Sequence, residues 1–298
     1  MRATTLHICP SPDLSPSVLQ DRADTAAELA ALLGEDPLGN AYLLHRSELA
    51  AAGLGQSAPG EAPDRWLGAR DAIGRLVAAA LVRRPEMGEA ALMFCPTGSL
   101  AGCEAIGQRV AMDGGALIMV GPRESADAAW LGMGSPPFRV SYDQRLYVAE
   151  AASAGPRLAV HRPMRAELDQ LVQMDLGMLA EDLGISADRI DLEAMEARVL
   201  ARLEAGTLRV AHGDDGLVCF LIDVSRCGRF GAQLGGTYVL PAQRGQGICA
   251  RAVRSLLDEL CVGGAAVTLH VNEANIPAWR AYERAGMRPV RPFRLFSV

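Results

Sequence analysis

The sequence predicts an α/β fold with a mixed sheet (α+β in pattern), laid out as two tandem units of the same design. Three observations carry this. The chain has 298 residues, against roughly 100–150 for a common single domain. Strand-like and helix-like stretches alternate along it, and their order in the first half returns in the second. Between the halves lies Ala151-Ala-Ser-Ala-Gly-Pro156, a run of small residues that reads as a linker. The expected units are 1–150 and 157–298.

In the first unit, Pro10, Pro12 and Pro16 mark a loose or edge segment. Val18 to Leu33 reads as a helix and Leu38 to Leu54 as another, with Asp36-Pro37 at its start. Trp66 to Arg70, Arg75 to Val82 and Ala90 to Cys95 read as strands, the middle one a continuous apolar run. Ser99 to Met112 is helical, Ala116 to Val120 a strand, Ser125 to Leu131 a short helix and Tyr142 to Glu150 a last strand.

The second unit repeats this. Leu158 to Arg162 is a strand and Arg165 to Asp182 a helix. Leu192 to Ala205 is a helix with Asp191 as cap, Gly206 as stop, and Leu192, Met195, Val199 and Leu203 on one apolar face. Leu208 to His212, Leu217 to Val224 and Phe230 to Leu240 are strands, the first two joined by the turn His212-Gly-Asp-Asp-Gly216. A helix follows from Ile248 to Leu260, with Val253, Leu256, Leu257 and Leu260 at i, i+3, i+4, i+7. The strand Ala266 to Asn272, a helix with Pro277 in its first turn and Gly286 at its end, and a strand Arg291 to Val298 complete the order.

One turn is chemically distinctive. The strand ending Tyr238-Val239-Leu240 is stopped by Pro241, and Arg244, Gly245 and Gly247 lead straight into the Ile248 helix. A helix start leaves amides unpaired and carries about half a positive charge. Glycine lets an anion approach those amides closely. About 25 residues further on runs Asn275-Ile-Pro-Ala-Trp-Arg-Ala-Tyr-Glu-Arg-Ala-Gly-Met287.

Together these segments resemble the acetyl-CoA-binding half of the GNAT N-acetyltransferase superfamily. Arg244-x-x-Gly247-x-Cys249 is similar to its pyrophosphate motif, with Cys249 in place of Gly or Ala. Asn275-x-x-Ala278-x-x-x-Tyr282-Glu283-x-x-Gly286-Met287 is similar to its second signature, with Met287 in place of Phe. The resemblance covers roughly Arg157 to Val298. It implies two tandem GNAT-like units with acetyl-CoA as cosubstrate in the second. Asp36-Pro37-Leu-Gly-Asn40 resembles a stretch in the front half of bacterial tandem GNAT-like proteins. Pro96-Thr-Gly-Ser-Leu-Ala-Gly102 has neither arginine nor Gly-x-Gly, so the front unit is expected to be degenerate and not to bind CoA there.

The resemblance also implies roles. Thr237, Tyr238 and Val239 would pair with the pantetheine arm between two splayed strands, and Gly235-Gly236 marks a bulge or close approach. Arg244 and the amides of Gly245, Gln246, Gly247, Ile248 and Cys249 would hold the pyrophosphate. Asn275 would meet the pantetheine amide, cap the next helix, or do both. Tyr282 would face the CoA sulfur as the catalytic hydroxyl. Cys249, at a helix start, is expected to be an activated thiol. The carboxylate that the family often places on the strand before the loop is missing from Phe230 to Leu240. Glu181 and Asp182 read first as ordinary solvated acids that could border the acceptor site or work through water, and His161, His212 and His270 read as core or surface histidines.

Composition limits the alternatives. No apolar run is long enough to span a membrane, and Met1-Arg-Ala-Thr-Thr-Leu lacks a signal core, so a cytoplasmic protein is expected. Seven scattered cysteines without Cys-x-x-Cys argue against a disulfide framework and against a metal site. All 29 basic residues are arginine, which with the alanine content suggests a bacterial source. A net charge of −6 speaks against nucleic acid and suits a cationic amine. The reading is an acetyl-CoA-dependent N-acetyltransferase for an amine of a small molecule or protein, with a homodimer left open. The alternatives are a catalytically weak acyl-CoA-binding regulatory protein and an interaction module.

Overall fold

The structure, a computed structural model, describes residues 14–18, 23–53, 64–83, 92–113, 117–183 and 190–297. Front-half elements in chain order are β1 (Ser15–Val18), α1 (Ala23–Gly34), α2 (Ala41–Ala51), β2 (Arg65–Arg70), β3 (Leu76–Arg83), β4 (Leu92–Gly98), α3 (Leu100–Asp113), β5 (Leu117–Pro122), α4 (Arg123–Gly132) and β6 (Val140–Ala149). The back half has α5 (Leu168–Leu183), α6 (Leu192–Ala205), β7 (Leu208–His212), β8 (Val218–Arg226), β9 (Ala232–Val239), α7 (Ile248–Leu260), β10 (Val267–Asn272), α8 (Ile276–Ala285) and β11 (Arg288–Ser297). The expected mixed α/β design is present in both halves.

All described strands join one eleven-stranded sheet in the order β1-β2-β3-β4-β5-β11-β6-β10-β9-β8-β7. Two pairs are parallel, β4 with β5 and β9 with β10. Each is bridged by a helix, α3 or α7, as a parallel pair requires. The remaining pairs are antiparallel.

The centre of the sheet shows how the halves join. β6, the last strand of the front half, lies between β11 and β10 of the back half. β11, the last strand of the back half, lies between β6 and front-half β5. Each half therefore surrenders its final strand to the other, and β6 and β11 run antiparallel side by side, from Arg288 opposite Val148 to Ser297 opposite Val140. Ala151 to Pro156 is not a loose tether: Ser153 donates its amide to Ala285 and its hydroxyl to the Arg284 carbonyl.

Four apolar clusters lie on the two faces. The α3–α4 cluster includes Phe94, Ile106 and Met119, and the α1–α2 cluster includes Leu33, Leu44 and Trp66. The α7–α8 cluster includes Val253, Leu256, Leu257 and Tyr282, and the α5–α6 cluster includes Leu171, Met195 and Val199. Burying each large apolar side chain contributes about 1.5–3 kcal/mol. Phe230, expected to open a strand, instead turns out of a one-turn helix at Gly228–Phe230 and packs on the α1–α2 cluster. Beside it Arg229 reaches Glu48 at 2.6 Å. Gly231 forces the delay in the strand: its φ is +98° and a Cβ there would stand 1.8 Å from the Ala266 carbonyl oxygen.

Two further expectations change. Leu158 to Arg162 forms no strand; only His161 bridges to Val210. The segment is drawn to α7 instead, where the Ser255 hydroxyl donates to the Leu158 carbonyl at 2.7 Å, and Pro163 has no amide to extend a ladder. At the start, Ser15–Val18 is an edge strand on β2, and the first helix begins at Ala23. The expected reading of residues 1–13 lies outside the described residues. Among those described, no helix is long and apolar enough to cross a membrane and no group of three His, Cys, Asp or Glu is placed to hold a metal.

Candidate active site

The site is built where β9 and β10 part. They pair only from Ala232–Leu234 to Val267–Leu269. Beyond that β9 bulges: Asp223 faces Gly235 and Leu221 faces Tyr238, so Ile222 alone spans Gly236 and Thr237. Gly236, at φ +54°, supplies the left-handed step that a bulge of this kind needs. The bulge twists the end of β9 away from β10 and opens a V-shaped gap, the splay expected at Thr237, Tyr238 and Val239.

Two cavities meet at this gap. One, of about 520 Å³, runs past Thr237, Tyr238, Val239, Arg244, Gly245, Gly247, Ile248, Cys249 and Asn275, with Arg280, Tyr282 and Arg284 on its α8 side. The other, of about 560 Å³, lies across the sheet, over Gln144, Leu234, Gly235, His270, Asn272 and Leu295. Met178, Glu181, Thr237, Asn275, Ala278 and Tyr282 border both. A thioester in the gap would thus be reached from both sides. The structure brings together every sequence-chosen residue except Gln246, which does not border either cavity.

At the turn, Gly247 is the N-cap of α7 with φ +73°, and no side chain bonds the amides of the first turn. Nothing lies within 4 Å of where a Cβ would stand on Gly245 or Gly247. An uncapped helix start facing open space is an anion site in physical terms. The corresponding turn in the front half is closed. The Ser99 hydroxyl accepts the Gly102 amide at 3.3 Å, and a Cβ on Gly98 would meet Ala78 Cα at 2.6 Å. The front gap is filled as well: the Gly121 Cβ position is 2.7 Å from the Pro96 carbonyl, and Thr97 Oγ1 donates to the Asn40 carboxamide at 3.2 Å.

Arg244 does not reach into the open turn. It donates to both carboxylate oxygens of Glu181, at 2.8 and 2.9 Å. Its Nε donates to the Val239 carbonyl at 3.0 Å, and its guanidinium stands 5.2 Å from the Tyr238 ring centroid. The Tyr238 hydroxyl donates to Glu181 at 3.1 Å. The bonds from Arg244 hold the Glu181 carboxyl below the usual carboxylate range, while burial, and then the charge of Glu181, raise the Tyr238 phenol. Glu181 reads from sequence as a solvated acid that could border the acceptor site or work through water. That it pairs with Arg244, 63 residues away, is beyond any local sequence signal. Nothing is described of the Asp182 side chain.

Cys249 corrects an expectation. Its thiol packs against the α7–α8 cluster, and burial pushes it up to about 12, the opposite of an activated thiol. The helix-start field is outweighed by desolvation of the thiolate. Asn275 does cap α8, its side chain accepting the Ala278 amide at 3.2 Å, while bordering both cavities. Tyr282 is buried and lies at the junction of the cavities.

Sequence reasoning missed four contributors, Arg280, Arg284, Tyr142 and Gln144, and left His270 outside the site. Arg280 and Arg284, one helical turn apart on α8, add two cations to the wall of the first cavity. Their i, i+4 spacing was the available signal. Tyr142 and Gln144, on β6 of the front half, border the second cavity, which only the strand exchange makes possible. His270 on β10 borders it too; burial lowers its pKa to about 4, so the ring is neutral near pH 7, and it lies 4.3 Å from Phe293 between ring centroids.

Comparison with known proteins agrees with this geometry. The acetyltransferase (GNAT) family model matches residues 198–287, a span that includes the β9–α7 turn and α8. No curated protein matches the chain. Among solved structures, a tandem GNAT protein from the clavulanic acid biosynthesis pathway superposes with a TM-score of 0.55 at 16 % identity, over 96 % of this chain and 98 % of its own. A GCN5-related N-acetyltransferase from Sphaerobacter thermophilus gives 0.56 at 15 %, over 97 % and 96 %. A GNAT-family acetyltransferase from Colwellia psychrerythraea gives 0.54 at 12 %, over 95 % and 99 %. At such identities these likenesses speak for the fold alone. Residues 198–287, with the signature turn, thus match the GNAT acetyltransferase model, and over nearly the whole length the fold is that of solved GNAT structures, one of them a tandem protein.

Proposed function

We propose that the chain is an acetyl-CoA-dependent N-acetyltransferase acting on an amine of a small molecule or protein. The observation that carries this is the gap between β9 and β10, open on both sides of the sheet, with the uncapped start of α7 at one mouth. The first cavity suits the donor. The amides of Gly245 to Cys249 would face the pyrophosphate, and charge-assisted hydrogen bonds of about 1.5–3 kcal/mol each would anchor it. Arg280 and Arg284 are placed to meet further phosphate charge. The pantetheine arm would lie along Thr237 to Val239, whose edge toward β10 has no ladder partner.

The acceptor enters from the second cavity. Its unprotonated nitrogen attacks the thioester carbonyl; the C–S bond breaks, an N–C bond forms, the amine loses a proton and the leaving sulfur gains one. Tyr282 is assigned the proton donation to sulfur. A thiol near 8.5 and a tyrosine near 10 make full transfer uphill by about 2 kcal/mol, so a relay in which Tyr282 takes the amine proton as it gives up its own is favoured. We assign 1–150 to a degenerate front unit and 157–298 to the transferase unit, in a cytoplasmic protein. A catalytically weak acyl-CoA-binding regulatory protein is the second reading, favoured by the lack of a carboxylate on β9.

Titration calorimetry with acetyl-CoA should give one site per chain, since the front turn is closed; two equivalent sites would refute the degenerate front unit. Thiol release from acetyl-CoA with a panel of primary amines separates the two readings: amine-dependent release supports the transferase, and binding without release supports the regulator.

A further inference from the structure

Glu181 is the one carboxylate bordering either cavity among the described residues. It borders both, and it is held by the arginine of the phosphate turn. The same arginine lies across the Val239 carbonyl, on the strand edge where the donor's arm is placed. The donor and the Arg244–Glu181 pair therefore compete for Arg244. The pair is 42 % and 46 % exposed, and exposed ion pairs hold their partners weakly. A pyrophosphate, carrying more charge and joined by the α7 amides, outbids a single carboxylate for the guanidinium.

We infer that donor binding hands Arg244 from Glu181 to the pyrophosphate, and that the freed Glu181 carboxylate then binds the cationic ammonium group of the acceptor at the junction of the cavities. This rests on the transferase reading and assigns the acceptor class: an amine that arrives protonated, with no anionic group beside it, and gives one proton to solvent before its nitrogen attacks. Tyr238, which donates to Glu181, keeps the carboxylate in place after Arg244 leaves. Glu181 then acts as an acceptor-binding residue and couples the two sites. By linkage, the donor must raise the amine's affinity by the same factor as the amine raises the donor's.

The test uses Glu181→Gln in the full chain. Calorimetry with CoA should show binding unchanged or up to about five-fold tighter, because a competitor for Arg244 is weakened. Amine binding is then measured on CoA-loaded protein with primary amines from diaminobutane to aminohexoses. In the wild type at least one should bind tighter with CoA than without it, and pantetheine, which has no pyrophosphate, should not reproduce the gain. Glu181→Gln should weaken that amine ten-fold or more and leave its hydroxyl analogue unaffected. Weaker CoA binding by Glu181→Gln would make the carboxylate a mere support for Arg244 and overturn the exchange. So would amine binding indifferent to the substitution, or no amine gaining from CoA. Failure of the wild type to bind CoA at all would instead remove the transferase reading itself.

Discussion

At the scale of single residues, Tyr282 and His270 make opposite use of burial. Tyr282 sits at the junction of the two cavities. Tyr282→Phe keeps the ring in the α7–α8 cluster, so CoA affinity should change little while kcat falls about 10²-fold, the lower end for a positioned acid. Single-turnover rates beside calorimetric Kd values check this, and a normal kcat would reduce the hydroxyl to packing. His270 is held neutral, its pKa lowered from 6.5 to about 4 by burial. A depressed histidine leaves the unfolded chain the better proton acceptor at low pH. Its contribution is therefore fully present above about pH 6.5 and is lost as pH falls toward 4, on the order of 3 kcal/mol in all. Urea midpoints at pH 7 and pH 5 should differ more for the wild type than for His270→Phe; equal differences would mean the ring is solvated. Residue identity was legible in sequence wherever it was local: Asn275 as a cap, Asp191 as a cap, Gly286 as a stop. Partnership was not. Nothing near Arg244 names Glu181, and nothing near Cys249 says that its thiol packs against the α7–α8 cluster.

At the scale of elements, the β9–α7 turn was the most legible part of the chain, because proline, two glycines and a 3.6-residue apolar repeat agree there. The helices α6, α7 and α8 follow their predicted spans closely for the same reason. Strand ends were less legible. Whether residues 158–162 join a sheet or lie on a helix is decided by Ser255 and Val210, far away in sequence. The turn itself makes a clean prediction. Gly247 has φ +73° and open space around it. In Gly247→Val the cost to folding is backbone strain alone, about 1–2 kcal/mol, and a lowered but cooperative thermal midpoint should show it. The cost to CoA should be larger, about 10–100-fold in Kd, through one or two charged hydrogen bonds denied their approach. A variant that melts early yet binds CoA normally would mean the phosphates sit elsewhere. The front half offers the contrast: Ser99 closes the equivalent helix start that Gly247 leaves open.

At the scale of the whole molecule, the exchange of β6 and β11 decides what the two halves are to each other. Repetition of element order was legible and gave the tandem design. The exchange was not, since β6 has the same local pattern whether it pairs with β5 or β10. Physically it means that neither half owns a complete sheet: without β6, β10 and β11 lose their shared neighbour, and without β11, β5 keeps only β4. Salt bridges add a polar clasp over the seam, from Arg123 on α4 to Glu273 at 2.9 Å and from Arg294 on β11 to Asp143 at 3.1 Å. They are partly exposed and contribute little beside the strand pairing. The halves should therefore unfold together. The three tryptophans allow a direct test, because Trp66 and Trp130 report the front half and Trp279 the back. Urea titrations of Trp279→Phe and of the double variant Trp66→Phe, Trp130→Phe should give one midpoint once each is corrected for the variant's own stability by far-ultraviolet circular dichroism. The exchange also implies that CoA, if bound in the back half as proposed, should raise the unfolding free energy reported from the front half by RT ln(1 + [L]/Kd), about 2.7 kcal/mol at a hundred-fold excess over Kd. A front-half signal that ignores CoA would mean that the central strands part before either half melts.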